Sequence, residues 1–178
     1  QIVLTDITQS YKTDFSKYKK RIPEDRLFTV FNDIVLQVGN KFSFKSLHQL
    51  YSYSQIHECL YFLQKAGLIV PVVHTAANGH PLGAEANTKH IKYLAFDSGI
   101  YLSMIGIKVV DIIQDREGDL VMKGGLAELS VGLELLKSRG SYLAPEIYYW
   151  QREKAGSQAE IDYIISYKNE ITPAEVKA

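Results

Sequence analysis

Cysteine occurs once in these 178 residues, at Cys59. No internal disulfide can form, and a reducing, cytoplasmic compartment is the simple expectation. Net charge is absent as well: 20 Lys and Arg stand against 20 Asp and Glu. A strongly basic, phosphate-coating surface is thereby disfavoured. Long apolar runs are missing too. The longest useful one, Leu68–Val73, falls far short of the roughly 20 residues a membrane-spanning helix needs, so no membrane partner is expected. There is no signal-peptide pattern, internal repeat or low-complexity segment. Disorder is excluded in turn by an apolar fraction of 46%, with 12 Tyr and 7 Phe available for packed cores.

What charge there is lies unevenly. Residues 1–105 carry 11 basic against 8 acidic side chains, and residues 106–178 carry 9 against 12. The length suits one medium domain or two small ones. The pattern of elements favours two, at 1–105 and 106–178.

In the first stretch, residues 1–15 read as extended or a short helix. Phe15–Val38 has apolar positions near helical spacing, with Pro23, Glu24 and Asp25 suited to a helix first turn and Gly39-Asn40 as a stop. Ser43–Tyr51 reads as a short helix. Ser52-Tyr53-Ser54-Gln55 matches a capping box, followed by Ile56, Cys59, Leu60 and Leu63 on one face, with Gly67 at the C-cap. Leu68–His74 reads as a strand, with Pro71 favouring an edge or bulge. Thr75–Lys89 reads as a long loop and Ile91–Phe96 as a returning strand. This order is that of a winged-helix domain.

Asp97–Met122 reads as a connector, with a short helix near Gly99–Ile105 and a charged patch at Asp111–Asp119. Gly124-Gly125 opens a helix with Leu126, Leu129, Leu133 and Leu135 or Leu136 on one side, and Gly140 ends it. Ile147–Arg152 is a strand, and Lys154-Ala155-Gly156-Ser157 a turn. The chain then closes on Ala159–Ile165 and Ile171–Ala178, flanking a hairpin turn at Lys168-Asn169. The expected class is α+β.

With Tyr167 facing Glu170, the hairpin ladder sets Asp162 against Glu175 and Glu160 against Lys177. Strand alternation then places all of these on one face. Directly opposed carboxylates repel, and a hard cation between them reverses the sign of that interaction. Asp162 and Glu175 are therefore candidate metal ligands. Glu128, early in the preceding helix, is either a third acid converging on them or a helix-terminal acid favoured by the macrodipole. Asp162 also reads as an ordinary exposed strand residue. Glu160 reads best as the partner of Lys177 in a cross-strand ion pair. In a metal site, Mg²⁺ would polarise a phosphate and its attacking water, while Lys177 would stabilise the developing negative charge.

Other residues offer less. His48, His57, His74, His80 and His90 show no metal-ligand spacing, and Cys59 sits on an apolar stripe. As a recognition helix, the segment after Ser52 presents His57, Glu58, Tyr61, Gln64 and Lys65, a set poor in the cations that dominate DNA affinity. Contact with DNA, contact with protein and a purely structural role all stay open for it. Lys17, Lys19, Lys20 and Arg21 form the one basic run, which a solvated helix face explains.

Glu128 on a helix, Asp162 on a strand and then Glu175-Val176-Lys177 together resemble the PD-(D/E)XK nuclease superfamily. More closely, AELSVGLELL, IYYWQREKAGSQAEIDYII and ITPAEVKA resemble the C-terminal domain of unknown function of a bacterial and archaeal family of AAA-type ATPases. KYLAFDSGIYLSM, in the winged-helix-like stretch, fits the same family. The resemblance implies a winged-helix-like domain followed by a restriction-endonuclease-like α/β domain. It implies catalytic Asp162, Glu175 and Lys177, metal ligands Glu128, Asp162 and Glu175, Mg²⁺ as cofactor, and DNA and an upstream ATPase domain as partners. The P-loop of that ATPase does not occur here, so ATP would bind only in the upstream domain. Both ends of the chain read as cut, which leaves the nuclease-like core truncated and the chain part of a longer protein. The alternative is a non-catalytic regulatory or interaction module of the same ATPase.

Overall fold

The computed structural model describes residues 2–15, 21–114, 122–138, 146–154 and 157–177. The protein is α+β, with helices gathered around one mixed five-stranded sheet. Residues 17–20 of the basic run, residues 115–119 of the charged patch, Gly140, Ala155, Gly156 and Ala178 lie outside the described residues.

The first helix, α1, spans Ile2–Phe15, and α2 begins only at Glu24 and ends at Leu36. Helix α2 thus starts directly after Pro23, where Pro23, Glu24 and Asp25 suit a helix first turn. Proline lacks an N–H and fixes its own φ, so it suits a helix start. Leu27, Val30, Phe31, Ile34 and Val35 form the buried stripe of α2. Of the short helix expected at Ser43–Tyr51, a 3₁₀ segment at Leu47–Gln49 is formed.

Helix α3, Tyr53–Lys65, carries the expected capping box in both directions. Ser52 accepts from the Gln55 N–H, and the Gln55 side chain accepts from the Ser52 N–H. Gly67 follows with φ +71°, a left-handed conformation that glycine adopts without steric cost.

Strand β1 (Ile69–Thr75) pairs antiparallel with β2 (Ala86–Ala95). The strand therefore starts inside the segment expected to be a loop up to Lys89. The sheet order is β2-β1-β3-β4-β5, with β3 at Ile147–Lys154, β4 at Ser157–Tyr167 and β5 at Glu170–Ala174. β1 is consequently interior, although Pro71 pointed to an edge or a bulge; the β1–β2 register shifts at Val73/His74, two residues on. Pairing with β3 begins only at Val72, so the N–H that Pro71 lacks falls just before that ladder.

Between β2 and β3 the chain crosses the sheet through α4 (Ser98–Met104), α5 (Val109–Gln114) and α6 (Lys123–Lys137). This crossover allows β3 to run parallel to β1. Strands from residues 1–105 and from 106–178 thus share one sheet. A continuous apolar core also joins them, running from Leu27, Ile34 and Leu60 through Tyr93 and Leu94 to Leu129, Tyr149 and Tyr163.

Candidate functional site

Helix α6 reaches the sheet because glycines let it come close. A Cβ on Gly125 would lie 2.8 Å from the Val38 carbonyl oxygen, and one on Gly39 would lie 2.9 Å from the Gly125 Cα. One turn beyond Glu128, a Cβ on Gly132 would lie 2.4 Å from the Tyr163 hydroxyl and 2.6 Å from Leu94. Gly124 and Gly125 lie in the first turn of α6, as expected, and a side chain at Gly125 would push the helix away. The Tyr163 hydroxyl completes the docking by donating to the Glu128 carbonyl at 2.7 Å.

Glu128 is thereby fixed in the interior, and its carboxylate meets Lys92 of β2. Lys92 Nζ donates to Glu128 Oε1 at 2.8 Å. It also pairs with Glu160 Oε1 and stands 3.8 Å from Asp162 Oδ1. Its fourth neighbour is the Tyr149 ring, whose centroid lies 5.3 Å away, within cation–π range. Only 2% of the Lys92 side chain is exposed.

A bulge in β4 aims the acids. Tyr148 pairs with Ile164 and Trp150 with Ile161, so β4 holds one residue more than β3 across this interval. An extra residue breaks strict alternation and re-aims side chains. Asp162 and Tyr163, adjacent in sequence, thus both reach the α6 side, one to Lys92 and the other to Glu128. Strand alternation alone would have sent them to opposite faces.

The hairpin register is as expected at the turn, with Tyr167 opposite Glu170 and the ladder continuing to Tyr163 opposite Ala174. Lys168 and Asn169 both have positive φ, 49° and 63°, as a type I′ turn requires. β5 ends at Ala174, one residue before Glu175. The chain then turns so that the Val176 N–H donates to Asp162 Oδ2 at 2.8 Å. Both oxygens of Asp162 are engaged within the protein. Glu175 and Lys177 are exposed on this last segment. Of the residues singled out from the sequence, Glu128 and Asp162 are brought together, and they meet at Lys92. Glu160, expected opposite Lys177, also turns to Lys92.

The electrostatics follow from three carboxylates around one ammonium. Burial pushes the Glu128 carboxyl up to about 7, with Lys92 opposing the rise and Asp162 and Glu160 adding to it. Burial also disfavours the charge on Lys92, but Glu128 and Glu160 outweigh it and leave its pKa above the ordinary 10.5. The lysine is cationic throughout the neutral range, and Glu128 readily holds a proton.

A divalent cation does not fit this arrangement as it stands. Mg²⁺ requires free carboxylate oxygens, and Lys92 Nζ occupies the point on which the acids converge. Among the described residues, no group of three or more His, Cys, Asp and Glu side chains is placed to hold a metal ion. Lys92 was the residue missed from the sequence. Its one local signal is a lysine between Ile91 and Tyr93, where both neighbours are apolar strand formers.

Two protein-family profiles match the chain. The profile of a domain of unknown function, DUF8612, matches residues 1–111, and that of another, DUF4143, matches residues 123–178. DUF4143 is associated with proteins of the AAA-ATPase type. The likeness to the ATPase-associated domain is thereby shown for residues 123–178. No helix among the described residues is long and apolar enough to cross a membrane. No curated protein and no solved structure matches the chain. Lys92 falls in the first matched region, and Glu128, Glu160 and Asp162 in the second. With the first match spanning more than half its length, the chain belongs to the DUF8612 family.

Proposed function

We propose that this chain is a non-catalytic regulatory and interaction module of an AAA-type ATPase, in which a winged-helix-like part is bound to a nuclease-like part by an internal ion cluster. The observation that carries this reading is the position of Lys92 Nζ among Glu128, Glu160 and Asp162. An ammonium and a divalent ion cannot share that point. Two of the three acids that a metal-dependent nuclease would use, Glu128 and Asp162, instead face a lysine contributed from the other family region. The product of this chemistry is a rigid connection, suited to passing a change of ATPase state between the two parts. The upstream ATPase domain is the expected partner, with DNA as a further one.

A second reading, Mg²⁺-dependent cleavage of DNA, is favoured by one observation. The hydrogen bond from Val176 to Asp162 holds the Glu175-Val176-Lys177 segment beside Asp162, as a D…E-x-K site requires. In that reading Asp162 and Glu175 are metal ligands, Glu128 an auxiliary ligand and Lys177 the electrostatic catalyst.

Nicking of supercoiled DNA by the protein joined to its ATPase domain separates the two. The module reading predicts that Mg²⁺ produces no nicking beyond that of a Glu175→Gln control. Mg²⁺-dependent nicking that disappears in both Glu175→Gln and Lys177→Ala would overturn it in favour of the nuclease.

A further inference from the structure

Helix α3 buries Ile56, Cys59, Leu60 and Leu63 in the core. It carries a second stripe that the core does not use: Tyr53, His57, Tyr61 and Gln64, at helical spacing on another face. Tyr53 is 58% and Tyr61 59% exposed. A solvated helix face is ordinarily charged or small and polar; here Tyr53 packs against Phe44, His48 and His57, while Tyr61 stands out from the core beside Lys65.

These rings border a cavity of about 650 Å³ between α3, Phe42 and Phe44, and the Thr88–Tyr93 part of β2. This size is ordinary for a small-ligand site. Phe44 stacks on His57, with centroids 5.5 Å apart and planes 21° from parallel, and Tyr53 lies 4.1 Å from His57. Partial burial holds the His57 pKa below its usual 6.5, so the imidazole is a neutral ring at pH 7. Polar capacity comes from Gln64 and Thr88, and positive charge from Lys89. Lys65 adds a second cation at the margin, its Nζ 5.7 Å from the Tyr61 ring centroid. Among the described residues, no acidic one lines the cavity.

We propose that this cavity binds the unpaired bases of a single-stranded nucleic acid. Flat aromatic walls take a base by stacking, which is sequence-tolerant because every base has a π-face. Gln64 offers both donor and acceptor to a base edge, and Lys65 and Lys89 supply charge for the phosphates. The lysines and the lack of acids select against the other common occupant of an aromatic pocket, a quaternary ammonium cation. A duplex is disfavoured because its bases are already stacked and paired, leaving their faces unavailable to Tyr53 and Tyr61.

The inference rests on the reading of the chain as a binding module, but on a different face from the ion cluster. Ile91 and Tyr93 border the cavity, whereas Lys92 between them turns to the acids, as strand alternation requires. Failure here would leave the Lys92 cluster and the nicking result untouched, and the reverse also holds.

The test is fluorescence anisotropy with end-labelled oligo(dT), oligo(U) and a duplex of equal length. Saturable binding of either single strand is expected, with the duplex weaker by about tenfold or more. Tyr61→Ala, an exposed position whose change leaves the core intact, should weaken single-strand binding by about tenfold, and Tyr61→Phe should restore it. Absence of saturable binding, equal binding of the duplex, or an unchanged affinity in a folded Tyr61→Ala protein would overturn the proposal.

Discussion

Lys92 and Glu128 come from two different family regions and form a hydrogen-bonded ion pair at 2.8 Å in the protein interior. Burying charges is costly, and geometry of this quality with further partners is what makes it tolerable. Glu160 and Asp162 supply those partners. The pair is a specific join between strand β2 and helix α6.

Removing the cation should cost far more than removing one acid. In Lys92→Met, three carboxylates lose their common counter-charge, and a loss of about 3–5 kcal/mol is expected for a broken buried pair. A compensating Lys92→Met/Glu128→Leu protein should be less destabilised than the two single losses added together. Urea denaturation midpoints measure each value. Strict additivity would mean that the two residues do not act as a pair.

Glu128 also predicts a pH dependence. Its folded pKa of about 7 lies above the ordinary 4.5, so the folded state binds the proton more tightly than the unfolded state. Its contribution is fully present below pH 4.5 and is lost as pH rises through about 7. The loss is at most about 3 kcal/mol. The difference in stability between the wild-type protein and Glu128→Gln, followed from pH 4 to 8, should show this fall. A flat difference would contradict it.

The glycines of α6 separate close approach from mere helix propensity. Gly132→Ala places a methyl against the Tyr163 hydroxyl and Leu94 and should destabilise by about 1–3 kcal/mol. Gly124, in the same helix, has nothing within 4 Å of an added Cβ. Gly124→Ala should therefore stabilise by up to about 1 kcal/mol. Thermal melts of the two variants should move in opposite directions.

Tyr163→Phe isolates the bond that docks α6. It removes the 2.7 Å donor to the Glu128 carbonyl, which keeps its place within α6, and a loss of about 0.5–1.5 kcal/mol follows. Because that bond positions Glu128, its pH-dependent contribution should also weaken in the same titration.

The sequence displays local physics well. The Ser52–Gln55 capping box, the left-handed Gly67 and the Lys168-Asn169 turn each depend on a few adjacent residues, and each forms as read. The register of the last hairpin follows from its turn. Legibility ends where distant segments meet. The parallel pairing of β1 with β3 joins Val72 to Ile147, and no local pattern encodes it. Glu160 and Asp162 share a face as alternation requires, but the β4 bulge that brings Tyr163 to the same side has no local sign. Asp162 could be singled out as a carboxylate set against another across a hairpin, and Glu128 through the order it forms with Asp162 and Glu175-Val176-Lys177. Their partner Lys92 could not, because a lysine in a strand ordinarily reads as a solvent-facing residue.

The central claim is that Lys92 serves as the cation of this acid cluster. Calorimetric titration of Mn²⁺ into the protein tests it most directly, with Lys92→Met and Asp162→Asn proteins alongside. The account predicts no saturable binding to the wild-type protein, because the acids are already occupied. Saturable wild-type binding that is abolished in Asp162→Asn would contradict it.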